Sequence, residues 1–243
     1  MLPADPEISV VIPVYNEENI LETATIALLE RIALFERSFE LLLCENGSSD
    51  HSAEIVDAIA TRESRVRALH SSEPDYGLAL RSGILAARGR VVFCDEIDLG
   101  DMDFYRRALE RLDLGAELVI GSKRHPLSHD NRPWLRRQGT VAINTMLRHS
   151  LGFRGSDTHG LKAFVRQPML PIVQACLLRK DLFASELVIR AQRARLRVEE
   201  LPLELREIRP PSIGMLRRVP RVLRDLVHLV YILRVKELVK KDN

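Results

Sequence analysis

The chain has 243 residues, of which 46% are hydrophobic and 29% are charged, a globular composition that excludes the disordered and fibrous classes. This length suits one large α/β domain better than two. A net charge of +2 and an aromatic content of 5% predict no nucleic-acid partner. Three cysteines without a CxxC pair exclude a disulfide framework and disfavour a zinc cluster. Because there is neither a long apolar run nor a basic leader, a cytoplasmic protein is expected.

Short β-branched runs alternate with helical patterns through the first half of the chain. The pattern predicts five strands, at 8–13, 39–45, 66–69, 91–94 and 117–120. It predicts four helices, at 19–35, after a cap at Asp50, at 78–87 and at 102–112. This alternation indicates right-handed β-α-β units and a largely parallel sheet. Ligands bind beyond the carboxyl ends of such strands, so the loops at that edge are the candidates for a site.

The fourth predicted strand ends in three carboxylates within four residues, Asp95, Glu96 and Asp98. Carboxylates packed together repel one another unless a cation neutralises them, and hard divalent cations bind such oxygen atoms. The cluster therefore predicts a metal site. The residues leave open a simpler alternative, a solvated acidic turn followed by a helix whose N-cap is Asp101 or Asp103.

Polar loops also follow the first and second strands. The first strand leads into Tyr15-Asn16-Glu17-Glu18, and the second leads into the sequence ENGSSD at 45–50. Taken singly, each loop is more typical of turn and helix-capping chemistry than of a site. Their common position at one edge of the predicted sheet is what makes them candidates for ligand binding.

Six sequence blocks, taken in order, resemble a known family. VVIPVYNEE at 10–18, ENGSSD at 45–50 and AARGRVVFCD at 86–95 resemble the nucleotide-sugar-binding half of family 2 glycosyltransferases with the GT-A fold. GSKR at 121–124, DTHGLKAF at 157–164 and SELVIRAQRAR at 185–195 resemble the branch of dolichol-phosphate mannose synthases and polyprenyl-phosphate glycosyltransferases. The resemblance covers roughly residues 8 to 205. It implies an α/β, Rossmann-like GT-A fold with a mostly parallel central sheet flanked by helices, and with C-terminal amphipathic helices.

The same resemblance implies a division of the chain and a set of residue roles. A single domain, 1–243, would comprise a nucleotide-sugar-binding half at 1–122, an acceptor half at 123–208 and basic amphipathic helices at 209–243. The nucleotide sugar would be bound by Pro13, Tyr15, Glu17, Glu45, Asn46, Asp95, Arg136 and Arg137. Mg²⁺ or Mn²⁺ would be held by Asp95 and Asp98, or by Glu96. The implied catalytic residues are Asp157, Lys162 and Arg124, with Thr158 beside them.

Three departures from the family pattern bear on these roles. Glu45-Asn46 stands where the family usually has two aspartates, which affects the contact with the base. Two residues rather than one separate Asp95 from Asp98, so either a bulge restores the position of Asp98 or metal binding passes to Glu96. Glu73-Pro74-Asp75 replaces the usual Asn-x-Gly before the third helix, and no lysine follows it.

The C-terminal stretch is basic and amphipathic. Residues 209–241 carry nine basic and two acidic side chains, a local charge of +7, with apolar residues at three- and four-residue spacing. Such a stretch can lie in the interface of an anionic membrane, and it can equally pack on the core of the protein or on a second subunit. The resemblance favours peripheral contact with the cytoplasmic membrane face. The sequence leaves a homo-oligomer open.

The sequence therefore predicts an inverting glycosyltransferase that moves a hexose from a nucleotide diphosphate sugar, of the GDP-mannose or UDP-glucose type, to a polyprenyl phosphate. One alternative keeps the donor and uses a soluble hydroxyl acceptor, with Asp157 as the general base. The other is a nucleotide-sugar-binding protein that has lost catalysis, which the departures at Glu45 and Asp98 keep open.

Overall fold

The computed structural model describes residues 5–122, 134–180, 182–203, 224 and 226–236. Its strands are β1 Ile8–Val14, β2 Phe39–Asn46, β3 Val66–Ser71, β4 Val91–Cys94, β5 Leu118–Ser122, β6 Lys162–Val165 and β7 Val198–Pro202. Its helices are α1 Leu21–Ala33, α2 Ser52–Arg62, α3 Tyr76–Ala86, α4 Met102–Asp113, α5 Trp134–Leu151, α6 Arg166–Ala175 and α7 Leu182–Arg193. Residues 226–231 are also helical, and Ile232–Lys236 continue as a π-helix.

The seven strands form one sheet in the order β3-β2-β1-β4-β6-β5-β7. The pairings of β1 with β2 and β4, of β2 with β3 and of β5 with β7 are parallel. β6 is inserted between β4 and β5 and is antiparallel to both. The predicted α/β class with a mostly parallel sheet is confirmed, while β6 was not among the predicted strands.

The core lies on both faces of the sheet. Val10 and Ile12 of β1 face a cluster formed with α1, α2 and α4, whereas Val11 faces the cluster formed with α3, α6 and α7. All three side chains are fully buried. Burial on both faces explains why β1 and β2 have almost continuous apolar sequences rather than alternating ones.

The predicted helices and strands of the first half occur, with shifted ends. Asp101 is the N-cap of α4 and accepts a hydrogen bond from the Phe104 backbone N–H at 3.0 Å. The N-cap of α2 is His51 rather than the predicted Asp50. Asp50 lies one residue earlier and accepts from the Ser52 backbone N–H at 2.9 Å. The physical reason is that a short carboxylate two residues before this N–H closes an Asx turn outside the helix.

The described part of the C-terminal stripe packs on the protein's own core. Leu226, Leu229, Ile232 and Leu233 are buried in the same hydrophobic cluster as residues of α3, α5, α6 and α7. Val227 and Tyr231, one turn apart, remain 68% and 52% exposed. Residues 204–223 and 237–243 lie outside the described residues, so the remainder of the predicted amphipathic stretch is not placed.

Candidate functional site

The loops after β1 and β2 are joined by side-chain hydrogen bonds at the carboxyl edge of the sheet. Asn16 has a positive φ of 54°, and its Oδ1 accepts from the Ser49 backbone N–H at 2.8 Å. In return, the Asn16 N–H donates to Ser48 Oγ at 3.1 Å, and the Glu17 N–H donates to Ser52 Oγ at 2.8 Å. Each loop therefore fixes the other. Tyr15, predicted to bind the base, projects from this pair of loops with 45% of its surface exposed.

Glu45 lies at the end of β2 and is buried. Its Oε1 accepts from the Ser48 backbone N–H at 2.6 Å, and its Oε2 lies 3.3 Å from His70 Nδ1 on the neighbouring strand. The other imidazole nitrogen, Nε2, is 2.9 Å from Asp57 Oδ1 on α2. The orientation of the Glu45 carboxylate is thus fixed at both oxygens.

Asn46 connects this edge to the start of α3. Its Oδ1 accepts from the backbone N–H of Asp75, which is the N-cap of α3 and accepts from the Leu78 N–H at 2.9 Å. Asp75 also accepts from the Lys180 backbone N–H at 2.8 Å and pairs with Arg179 at 2.9 Å. The departure at Glu73-Pro74-Asp75 therefore builds a buried cap that ties the end of β2 to the segment before α7.

Asp95 follows β4 and is buried, with only 2% of its surface exposed. Tyr105 of α4 donates to its Oδ2 at 2.8 Å, and the Glu96 backbone N–H donates to its Oδ1 at 2.7 Å. Burial raises the pKa of Asp95 to about 7, and these hydrogen bonds oppose that rise. In this arrangement Asp95 is an anchor for the turn that follows it.

The side chains that follow Asp95 in the acidic turn point alternately toward solvent and toward the core. Ile97 is buried in the core, whereas Glu96 and Asp98 on either side of it are exposed. A hydrogen bond of 3.1 Å from the Leu99 N–H to the Glu96 carbonyl closes the turn. Thus the extra residue places Ile97 inward and both flanking carboxylates outward. The described residues contain no group of three or more His, Cys, Asp or Glu side chains arranged around a metal. Two exposed carboxylates nevertheless fit Mg²⁺, which takes one or two from a protein and further ligands from phosphates and water.

The antiparallel strand β6 brings the block at 157–164 beside this turn. In the register of β4 with β6, Cys94 lies opposite Lys162. Because Asp95 directly follows Cys94, Lys162 lies beside the start of the acidic turn. Lys162 is buried, and its Nζ donates to the Gly160 carbonyl at 2.8 Å. Burial raises the pKa of the Cys94 thiol to about 12, and the charge of Lys162 opposes that rise.

Asp157 and Thr158 lie in the loop that leads into β6, and both are buried. Asp157 Oδ1 accepts from the His159 backbone N–H at 2.9 Å, and the Thr158 hydroxyl lies 2.9 Å from the Ser185 hydroxyl of α7. Gly160 packs so closely on Gly121 of β5 that a side chain there would overlap the Gly121 carbonyl oxygen. The acceptor block predicted from the sequence is therefore held against β5, β4 and α7.

The structure describes some of the other predicted residues and leaves three arginine side chains outside its described part. Arg124 lies outside the described residues. Arg136 and Arg137 belong to the first turn of α5, and their side chains are outside the described part of the structure. Pro13 lies within β1, and Glu17 precedes α1.

Among the described residues no helix is long and apolar enough to cross a membrane.

Three residues of the site were missed by the sequence analysis: His70, Tyr105 and Lys180. His70 meets Glu45 only through the register of β2 with β3, and Tyr105 reaches Asp95 only because α4 folds back over β4. Lys180 arrives from a segment more than 100 positions after Asp75. A local signal did exist for Asp75, since an aspartate after proline and before a helical pattern is a typical N-cap.

Comparison with known proteins agrees with this geometry. Residues 9–171 match the family model described as Glycosyl transferase family 2. Glycosyltransferase AglD of Haloferax volcanii is 31% identical over 83% of the chain, although the chain spans only 33% of that protein. Dolichyl-phosphate beta-glucosyltransferase ALG5C of Trichomonas vaginalis is 28% identical over 85% of the chain and 66% of its own length.

A solved structure is similar over nearly the whole fold. Glucosyl-3-phosphoglycerate synthase from Mycobacterium tuberculosis, in complex with Mn²⁺, UDP and phosphoglyceric acid, gives a TM-score of 0.64 at 21% identity and covers 93% of this chain and 78% of its own. At this identity the likeness establishes the fold, which is the predicted GT-A fold. The match of the family model over residues 9–171 shows that this chain belongs to glycosyltransferase family 2.

Proposed function

We propose that the protein is an inverting glycosyltransferase that moves a hexose from a nucleotide diphosphate sugar, of the GDP-mannose or UDP-glucose type, to a polyprenyl phosphate. The observation that carries this proposal is the pairing of Cys94 with Lys162, through which β6 sets the acceptor block beside the acidic end of β4. Donor and acceptor groups then meet at one edge of the sheet. The name of the ALG5C relative, a dolichyl-phosphate glucosyltransferase, supports the choice of a lipid phosphate acceptor.

In the proposed reaction an oxygen of the acceptor phosphate attacks the anomeric carbon of the sugar from the face opposite the leaving group. The bond from that carbon to the diphosphate breaks, its electron pair leaves with the nucleoside diphosphate, and the configuration inverts. Because a phosphate acceptor is already an anion, no proton has to be removed from it. The buried Asp157 would then orient the sugar or a basic neighbour rather than act as a base.

The nucleotide would be held by the loops that Asn16 and Ser49 join, with Tyr15 at the rim and Glu45 and Asn46 at the base. Lys162 would offset the negative charge of the acidic turn, and we assign Arg124 and Arg136 or Arg137 to the diphosphate. Mg²⁺ or Mn²⁺ would be held by Asp98 and Glu96, whose side chains are exposed, with Asp95 anchoring their turn. Such a cation stabilises the charge that develops on the leaving diphosphate. The Mn²⁺ and UDP in the M. tuberculosis structure support this choice of cofactor.

Peripheral contact with a membrane is part of the proposal. Val227 and Tyr231 expose an apolar and an aromatic side chain one turn apart, and Arg224 and Arg234 on the same helix are also exposed. A cavity of about 290 Å³ beside it, at the ends of α5 and α7, is lined by Arg154, Arg193 and Arg195. Arg193, which lines this cavity, donates a 2.6 Å hydrogen bond to the Leu233 carbonyl, so the cavity lies next to the C-terminal helix. Basic residues around exposed apolar ones suit an anionic membrane surface.

The test is incubation of the purified protein with radiolabelled nucleotide sugar, a polyprenyl phosphate in vesicles, and Mg²⁺ or Mn²⁺. We expect labelled product in the organic phase after lipid extraction, and none when the divalent cation is removed. Product that forms equally well without the cation contradicts the metal assignment. The absence of turnover with any donor and acceptor pair, despite measured donor binding, favours a binding protein.

A soluble acceptor is the second candidate, and the carboxylate of Asp157 beside the acceptor edge favours it. A hydroxyl acceptor must lose a proton, and in this reaction Asp157 would be the general base. The same extraction separates the two candidates, because a labelled product that stays in the aqueous phase contradicts the lipid acceptor.

A further inference from the structure

His70 lies between two carboxylates at the edge of the sheet where the nucleotide would bind. Its Nδ1 is 3.3 Å from Glu45 Oε2, and its Nε2 is 2.9 Å from Asp57 Oδ1. The side chain of Glu45 is 5% exposed, that of His70 is 40% exposed and that of Asp57 is 65% exposed. The three groups thus form a chain from the solvent to the buried carboxylate of the base loop.

The charge of His70 decides whether both contacts can be hydrogen bonds. A protonated imidazole donates from both nitrogens, whereas a neutral imidazole donates from one and offers a lone pair at the other. Asp57 makes the shorter contact, so in the neutral form the proton stays on Nε2 and the Nδ1 lone pair faces Glu45 Oε2. That arrangement replaces an attraction with a repulsion at one oxygen of Glu45.

We propose that His70 is a positioning residue for nucleotide binding, which in its protonated form fixes the Glu45 carboxylate in the orientation that receives the base. This inference rests on the proposed function, since it assumes that Glu45 contacts the nucleotide. It adds a residue, and a dependence on pH, that the sequence motif does not contain.

The departure at Glu45 explains why such a residue is needed. Glutamate is one methylene longer than the aspartate usual at this position and has one more torsion to restrict. The Ser48 N–H restrains Oε1 at 2.6 Å, and His70 supplies the second restraint at Oε2. A carboxylate restrained at both oxygens is pre-organised, so less entropy is lost when a nucleotide binds.

The surroundings of His70 favour the protonated form. Burial opposes its protonation, but the hydrogen bonds and charges of Asp57 and Glu45 outweigh burial and raise the pKa of His70 above its ordinary value. These two carboxylates are its hydrogen-bonding and charged partners from α2 and β2 in the described part of the chain. α3 also packs against β3 and contributes no hydrogen bond or ion pair to His70 there. The restraint on Glu45 is therefore present at low pH and is lost as pH rises through this raised pKa.

The experiment measures the dissociation constants of UDP and of GDP by calorimetry in the presence of Mg²⁺, from about pH 6 to about pH 8.5. For the wild-type protein we expect whichever nucleotide binds more tightly to bind about threefold to tenfold more weakly at about pH 8.5 than at about pH 6. A change of this size is expected because one charge-assisted hydrogen bond, from His70 to Glu45, is lost as the pH rises. His70→Ala should bind weakly throughout and lose that dependence on pH. His51→Asn is the matched control, since the His51 imidazole makes no hydrogen bond among the described residues.

A second variant separates positioning from simple loss of structure. In Asp57→Asn the neutral imidazole is released to donate Nδ1–H to Glu45 while Nε2 accepts from the new amide. The affinity at high pH should then match the affinity of the wild-type protein at low pH, which a merely structural role does not predict.

Three outcomes bear on the inference and on the proposed function separately. Nucleotide binding that is unchanged in His70→Ala at every pH overturns the role of His70 and leaves the proposed function intact. Recovery of affinity in Asp57→Asn supports positioning, and a further loss contradicts it. If the wild-type protein binds neither nucleotide, the proposed function fails, and the inference fails with it.

Discussion

The hydroxyl of Tyr105 donates a 2.8 Å hydrogen bond to Asp95 Oδ2, and both side chains are buried between α4 and the end of β4. The Tyr105 ring also stacks on Phe93 of β4, with ring centres 4.1 Å apart and planes 2° from parallel. The first carboxylate of the acidic turn is therefore fastened to the helix that follows the turn. This contact holds Glu96 and Asp98 at the surface, in a defined place relative to the sheet.

The first prediction concerns this contact. Tyr105→Phe keeps the ring and its stacking but removes the donor, leaving a buried carboxyl oxygen without its partner. We expect the free energy of unfolding, measured in urea, to fall by about 1 to 3 kcal/mol. We also expect the pKa of Asp95, already raised to about 7 by burial, to rise further because a hydrogen bond that lowers it is gone. Tyr231→Phe, at a residue that is 52% exposed, should leave the stability nearly unchanged. If the two variants have the same free energy of unfolding, the hydrogen bond from Tyr105 to Asp95 does not contribute to stability.

The second prediction concerns the metal. Asp98→Asn keeps the shape of the side chain and removes a charge, so a cation held there would lose one of its two proposed carboxylate ligands. We expect the affinity for UDP or GDP in the presence of Mg²⁺ to drop by about tenfold or more, and the affinity in the presence of EDTA to stay the same. The control is Asp103→Asn, whose carboxylate pairs with Arg106 and Arg107 on the surface of α4. An Asp98→Asn variant with normal metal-supported binding moves the assignment to Glu96.

The local pattern was enough to predict the first half of the fold. The apolar runs of β1, β2 and β4 are buried on both faces, and this burial makes the sequence of a parallel strand easy to recognise. The same pattern placed Glu45, Asn46 and the acidic turn at the carboxyl edge, because the ends of parallel strands meet there. Local sequence therefore carried the information for these parts.

The remainder depended on contacts between distant parts of the chain. β6 has four residues, Lys162–Val165, and it becomes a strand because β4 and β5 each offer it an antiparallel edge. A charged lysine at its first position gives no strand signal by itself. The contact partners of the predicted residues could not be predicted from local sequence either. Glu45 contacts His70 through the register of β2 with β3, and Asp75 accepts from Lys180, which lies in a loop far along the chain. Such contacts follow from tertiary packing, to which a single sequence gives no direct access.

The third prediction concerns the close packing of the loop that leads into β6. An added methyl group at Gly160 would overlap the Gly121 carbonyl oxygen of β5, which is rigid backbone within the sheet. Gly160→Ala should therefore displace the loop that carries Asp157 and Thr158, with a loss of about 3 kcal/mol or more in stability and loss of the proposed transfer activity. Gly152→Ala is the matched control. Gly152 has a φ of +71° and open space around it, so the substitution should cost only about 1 kcal/mol of backbone strain. Similar losses for both variants would contradict the packing argument.

The fourth prediction concerns the three cysteines, which are all buried and unpaired. Burial raises the pKa of Cys44 and of Cys94 to about 12, and it also raises the pKa of Cys176. At about pH 8 the reactive thiolate is then a fraction on the order of one in ten thousand at Cys44 and Cys94, compared with about a quarter for an ordinary free cysteine.

We therefore expect a disulfide reagent to modify the native protein slowly, at a rate set by opening of the sheet, and to titrate three thiols at once in guanidinium. Replacing Cys94 by serine should remove one of the three thiols from the count in guanidinium. A thiol that reacts in the native state as fast as free cysteine would mean that β2, β4 or the end of α6, where these residues lie, opens far more readily than its burial implies.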